Sequence, residues 1–336
     1  MLEQQAHKIT AGERRPLPVL DHGYVIGVDI GGTNLRLALA DTTGTILGRW
    51  SGSTAGITDA RIVVQLIADG VDILLKQASI ERGDLHAIAA GAPGVTNVDA
   101  GVVIATSYLM GWRDVPLRDL LEEAIGVPAA VDNDVNLAAV GESWKGAATS
   151  APDFVFLAIG TGVGAGIVID YKLFRGRGWT AGEVGYMLVP GASEEPSARD
   201  MPGAFEAIVG GEGIKARWRE TWTATATRLP EDLVATRVFD FALQGEPLAQ
   251  AILDRSARAL AYGIFNMALV LNCPLFVLGG SVGVHPALGD MTRSLLAERS
   301  AQVAPVVTTS ALGPDAQLIG AVRFALDHVK TRAILL

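Results

Sequence analysis

The 336-residue chain predicts an α/β fold of two lobes, each a mixed sheet with flanking helices. Strand-like and helix-like apolar periods alternate along the chain. A glycine-centred hairpin pattern occurs twice, far apart. Hydrophobic residues make up 49% and charged residues 19%, which suits a large buried core and not a disordered chain.

The elements follow in order. Residues 1–22 are polar, carry Pro16 and Pro18, and lack the apolar run of a signal peptide, so they read as a leader. Residues 24–41 form two β-rich runs around Gly31-Gly32-Thr33. Apolar spacing predicts a helix over 60–77, a buried strand over 85–92 and an amphipathic helix over 117–125. A strand over 128–131 and a helix over 133–144 come next. Residues 154–170 repeat the first hairpin. Ile30-Gly31 aligns with Ile159-Gly160, and Asp41 then falls on Asp170 without a gap. A long helix over 248–271, a strand over 276–278 and a helix over 317–329 complete the chain.

Several functions are disfavoured by composition. A net charge of −9 repels phosphate backbones, and no Lys/Arg block offsets it, so no nucleic-acid partner is expected. One cysteine, Cys273, forms neither an intramolecular disulfide nor a cysteine-based zinc site. It reads as a small buried hydrophobe in a reducing cytoplasm. Residues 260–289 hold no Asp, Glu, Lys or Arg. Asn266, Asn272, Pro274 and Gly279-Gly280 interrupt that run, so helix, turn and strand explain it better than a membrane span.

Three glycine-rich turns are candidate ligand cradles. In Asp29-Ile30-Gly31-Gly32-Thr33, glycines let backbone N–H groups approach a phosphate and Thr33 adds a hydroxyl. Asp29 ends an apolar strand, a costly place for a carboxylate, and Mg²⁺, directly or through water, would explain it. Turn stabilisation by Asp29 is the plainer alternative. Gly160-Thr161-Gly162-Val163-Gly164-Ala165 matches a dinucleotide pattern, but a strand follows where that pattern needs a helix. Phosphate cradling remains its reading. Gly279-Gly280 ends a buried strand and suits either bare backbone beneath adenosine or a tight strand-to-helix turn.

The acidic candidates begin at Asp132-Asn133-Asp134. Asp132 reads as a helix N-cap. Asp134, in the first helical turn, can accept a proton from a hydroxyl that attacks a phosphoryl group. Asn133 offers sugar hydroxyls a donor and an acceptor. Glu183 and Glu206, among glycines and apolar residues, read either as surface carboxylates or as part of a polar ligand site.

As an ordered series, these motifs resemble the repressor–ORF–kinase (ROK) family of sugar kinases and regulators, in the actin/hexokinase superfamily. Gly91-Ala92-Pro93-Gly94, Gly111-Trp112, Gly182-Glu183-x-Gly185 and Gly203-x-x-Glu206 belong to the series. The resemblance implies a two-lobed actin-like (ribonuclease H-like) ATPase fold. It implies one lobe over 23–131 plus 316–336 and a larger one over 132–315. It implies Asp134 as catalytic base, with Gly94, Asn133, Glu183, Tyr186 and Glu206 at the sugar. Gly31, Gly32, Thr33, Gly160, Thr161 and Gly162 would hold phosphates, Gly279 and Gly280 would lie under adenosine, and Asp29 would organise Mg²⁺. A cytoplasmic, glucokinase-like ATP:hexose kinase, assembled as a homodimer, is the expectation. A non-catalytic sugar-binding sensor or regulator of the same family and a kinase for an N-acetylhexosamine or another hexose are the alternatives.

Two departures stand out. Tyr186 replaces the family's usual His, and the family's zinc-binding cysteine stretch is absent, since residues 193–203 contain no Cys. No structural zinc is expected, and packing by Tyr186, Met187, Leu188 and Phe205 would hold the segment instead.

Overall fold

The computed structural model describes residues 22–106, 109–195, 202–223, 227–299 and 303–335. The expected leader lies outside them except for His22, as do residues 196–201 of the altered loop. The first half of the chain contains β1 (Tyr24–Ile30), β2 (Asn34–Asp41), β3 (Ile46–Ser53), α1 (Ala60–Ala78) and β4 (Leu85–Ala92). A small sheet of β5 (Val95–Asn97), β6 (Val102–Ala105) and β7 (Arg113–Val115) follows, then α2 (Leu117–Ile125), β8 (Ala129–Asn133) and α3 (Asp134–Lys145). The second half contains β9 (Phe154–Ile159), β10 (Val163–Ile169), β11 (Lys172–Leu173), α4 (Glu206–Val209), α5 (Gly211–Thr221) and α6 (Ala235–Leu243). It ends with α7 (Pro247–Leu271), β12 (Leu275–Gly279), α8 (Gly280–Gly283), α9 (Pro286–Ala297), β13 (Val306–Thr309) and α10 (Ala316–Leu335).

The two large sheets have the same topology. Their orders are β3-β2-β1-β4-β8 and β11-β10-β9-β12-β13, each an antiparallel meander joined to two parallel strands. The repeated hairpin of the sequence is therefore the start of each sheet. β10 continues as a strand after the second glycine turn, which removes the dinucleotide reading. α7 stops at Leu271 under an Asn272 cap at φ 52, and β12 follows. Among the described residues no helix is long and apolar enough to cross a membrane.

One core lies between the first sheet and α1 and α2, around Ile26, Leu37, Ile67 and Leu121. A second lies between the other sheet and helices α4 to α7 and α9, around Leu157, Phe205, Phe239 and Ile264. Cys273 is buried in this second core, which pushes its thiol pKa up, as a packing residue requires.

The final helix, α10, crosses back over β1 and β4 and meets α3. A Cβ at Gly320 would lie 1.7 Å from the Leu137 carbonyl oxygen, and one at Gly141 would lie 2.3 Å from that of Ala316. Backbone therefore touches backbone at this seam. Glu142, fully buried on α3, accepts hydrogen bonds from the Ala147, Ala311 and Leu312 amides and from the Ser310 hydroxyl. It fastens the end of α3 to the turn that launches α10.

Candidate active site

Parallel strands bring the first acidic residues together. Asp29 of β1 lies beside Gly91 of β4, and Gly91 lies beside Asp132 of β8. All three strands run the same way, so their carboxyl ends share one edge, where ligands bind in open α/β sheets.

Asp29 is buried and accepts two bonds from Arg36, from Nε at 2.9 Å and from Nη2 at 2.5 Å. Burial raises the Asp29 pKa, and Arg36 opposes that rise. The guanidinium supplies the compensating charge, so a metal ion is not needed to explain the position of Asp29. Arg36 also donates to the Pro314 carbonyl at 2.6 Å, tying the hairpin to the turn before α10.

Asp132 is not the helix cap that its position suggests. Asn133 caps α3, its Oδ1 accepting from the amides of Val135 and Asn136. Asp132 is 1% exposed and carries a full hydrogen-bond set. Its Oδ1 accepts from the Asn133 amide and from Asn136 Nδ2, and its Oδ2 accepts from Arg175 Nε and Nη2. Asn133 Nδ2 donates to the Gly94 carbonyl at 2.9 Å, joining two predicted sugar contacts.

Asp134 opens α3 with water still able to reach it, though protein surrounds it on most sides. Its pKa is pushed up to about 7, first by burial, then by the charges of Asp29 and, more weakly, Glu183. Glu183 is itself raised by burial within the cleft and then by Glu206. Like-charge repulsion thus links Asp29 to Asp134, Asp134 to Glu183 and Glu183 to Glu206. Glu206, at the start of α4, accepts from the Val163 amide at 2.7 Å. Asn133, Asn136, Trp179, Ala181 and Glu183 line a pocket in this cleft.

The glycine turns occupy equivalent places. Gly31, Gly32 and Thr33 join β1 to β2, with the Gly31 carbonyl held by Thr54 Oγ1 at 2.6 Å. Gly160, Thr161 and Gly162 join β9 to β10, braced by the amides of Gly211 and Glu212. Within the described residues the amides of Gly32, Thr33, Thr161 and Gly162 donate to no protein group. No hydrogen bond joins the two turns. Gly280 has φ +77, and its missing Cβ faces the Ile159 carbonyl, while that of Gly279 faces the Phe156 ring. Internal packing at a tight strand-to-helix turn accounts for both glycines.

A sequence profile of the ROK family matches residues 25–328. The chain belongs to the ROK family. A glucokinase of Halalkalibacterium halodurans is 34% identical over 310 residues, 88% of this chain and 93% of that one. The structure of a ROK family glucokinase from Streptomyces griseus, in complex with glucose and AMPPNP, gives a TM-score of 0.75 at 26% identity. The comparison covers 91% of this chain and all of the other. A ROK hexokinase from Thermus thermophilus gives 0.74 at 27% identity, over 92% of this chain and 99% of that one.

Against the resemblance to other ROK sequences, the segment around Tyr186 is the main departure, and its packing differs from expectation. Phe205 is fully buried and Met187 packs on the core. Tyr186 and Leu188 are 55% and 68% exposed, so they are not part of that packing. Val184 and Val189 fill the role instead. The short turn at residues 184–186 points its apolar side chain inward only at Val184, which leaves Tyr186 facing out.

Sequence reasoning missed Arg36, Arg175 and Trp179. Drawing the register of the first hairpin would have placed Arg36 opposite Asp29. No local signal marks Arg175, which reaches Asp132 across 43 residues.

Proposed function

We propose that the protein is an ATP-dependent kinase that phosphorylates a hexose hydroxyl, with Asp134 as general base. The observation that carries this reading is the Asp134 carboxylate in the first turn of α3, next to the pocket-lining Asn133, with its pKa raised to about 7 by burial, Asp29 and Glu183. A base poised near neutral pH is efficient at taking a hydroxyl proton. In the reaction, the hydroxyl oxygen bonds to the γ-phosphorus as the bond to the β–γ bridging oxygen breaks. ADP leaves, and the hydroxyl proton passes to Asp134.

Around that centre, Asn133 keeps one Nδ2 hydrogen for a sugar oxygen after its bonds to Gly94 and to the α3 amides. Glu183 and Glu206 accept from sugar hydroxyls on the other lobe. Tyr186 offers a hydroxyl at the open side. The unspent amides of Gly32, Thr33, Thr161 and Gly162 fit phosphate oxygens, and Gly279-Gly280 would border the adenosine. Among the described residues no three His, Cys, Asp or Glu side chains group to hold a metal ion. Mg²⁺ would therefore be held mainly by the phosphates, with Asp29 behind water. Bound MgATP supplies the phosphoryl group and neutralises its charge.

A coupled ADP-release assay over hexoses and N-acetylhexosamines tests the reading, with NMR locating the phosphate on the product. Sugar-dependent ADP release matched by sugar phosphate is expected. Sugar binding without turnover on any sugar would replace the kinase by a sensor.

A further inference from the structure

The chain has six tryptophans, and five of them lie in or pack against a hydrophobic core. Trp112, Trp218 and Trp222 belong to or pack on the two main cores, as does Trp50, and Trp144 packs under α10. Trp179 belongs to none of these clusters. Half-buried like Trp50, Trp144 and Trp222, it faces the cleft pocket and no core, with Asn133, Asn136 and Glu183. Within the described residues its indole makes no hydrogen bond and no ring contact.

Its backbone is the second observation. Trp179 has φ 58, in the left-handed region. Of the other five non-glycine residues with positive φ among the described residues, Tyr171 sits with Asp170 in the exposed turn between β10 and β11, and Ser79, Asp114, Asp170 and Asn272 are polar residues suited to turns. A bulky aromatic there is an outlier, because its Cβ crowds the backbone. A glycine would adopt this conformation freely. Folding thus holds a large side chain where the chain would prefer none, and no core packing repays it. Strain of this kind accumulates at ligand sites.

We propose that Trp179 is a sugar-contacting, specificity-determining residue, its indole serving as the apolar wall on which the C–H face of a pyranose rests. A pyranose carries hydroxyls around its rim and C–H bonds across a face. Asn133 and Glu183 suit the rim, and the indole suits the face. Binding sites commonly combine aromatic walls with a few convergent polar groups, and Trp adds an N–H that can meet a hydroxyl. The inference rests on the sugar-kinase reading and names how that site selects its substrate.

The test compares wild type, Trp179→Gly and Trp179→Phe. The expected result for the glycine variant is a rise of about tenfold or more in sugar KM and in calorimetric sugar Kd. Its kcat and ATP KM should change by less than about threefold, and its melting temperature should hold or rise as strain is released. Phenylalanine keeps a ring and should restore most of the affinity. Unchanged sugar KM and Kd in the glycine variant would overturn the proposal and leave the kinase reading standing. A lower melting temperature in that variant, with sugar affinity unchanged, would make Trp179 a structural residue. Wild type that binds no hexose at all would overturn both readings.

Discussion

Asp134 carries its charge at a cost set by its neighbours. Burial, Asp29 and Glu183 all favour the protonated form, and only nearby amides oppose them. Two outcomes follow for Asp134→Asn. Turnover should fall by about 10²–10⁴ while sugar binding stays measurable, since the amide keeps the shape but takes no proton. In wild type, kcat/KM should climb with pH through an apparent pKa of about 7. Stability moves the other way. A carboxyl whose pKa is higher folded than unfolded binds its proton more tightly in the folded state, so stability falls as pH rises from about 4 to about 7. Above that range the full cost of the ionised group is present. The melting temperature of Asp134→Asn minus that of wild type should therefore grow between pH 4 and pH 8. A difference that does not vary with pH would show that Asp134 is not perturbed. The neighbouring Asp132 shows what local sequence leaves out. Asp and Asn are nearly equal as caps, so the choice between Asp132 and Asn133 fell to Arg175, far along the chain. Arg175→Met leaves the Asp132 carboxylate buried without its partner and should cost about 3–5 kcal/mol. Arg175→Lys should recover part of that loss, read as denaturant midpoints.

Elements with long apolar periods were legible, and short ones were not. The spacing of apolar residues located α1, α2, α3 and α7 within about two residues, because each buries a face over several turns, and it found the start of α10 but ended that helix six residues early, at 329 where it runs to Leu335. The three strands of the small sheet have three or four residues each, too few to show a period. β3 alternates only between half-buried and exposed positions and carries two glycines. α5 is polar along most of its length and buries little beyond Ile214 and Trp218. The seam between α3 and α10 was invisible for another reason. Gly141 and Gly320 lie far apart in sequence, and isolated helix glycines normally only lower a helix's stability. Their value is the contact of two helix backbones. Gly320→Ala places a Cβ 1.7 Å from the Leu137 carbonyl oxygen, where no rotamer relieves it. The helices must separate, at about 1–3 kcal/mol or more. The expected readout is a lower melting temperature, with activity lost more steeply than stability because α3 carries Asp134. A neutral or stabilising Gly320→Ala would mean that the seam is looser than these contacts indicate.

At the scale of the whole molecule, the two lobes repeat one sheet topology but are held together differently. The first lobe is closed by α10, which returns from the far end of the chain, and the second by a broad helical core. The segment from Glu183 to Glu206 packs on that second core, sets Glu183 in the pocket wall and seats Glu206 against the Val163 amide. Relatives with the cysteine motif would fasten such a segment with zinc. Here the segment contains no Cys and no His, the usual ligands of a structural zinc site. Three features hold it in their place. Val184, Val189 and Phe205 enter the core. Ala165 donates to the Gly182 carbonyl at 2.8 Å, and Phe205 donates to the Gly185 carbonyl at 3.1 Å. Those bonds tie the segment to β10 and close it upon itself. Chelation should therefore leave the melting temperature of the nucleotide-free protein unchanged. Turnover should still stop in EDTA and return with excess Mg²⁺, because phosphoryl transfer needs its charge neutralised. The two responses separate a folding metal from a substrate metal. About one zinc per chain after dialysis, with a melting temperature that falls on chelation, would mean that other residues have taken over the role of the missing cysteines.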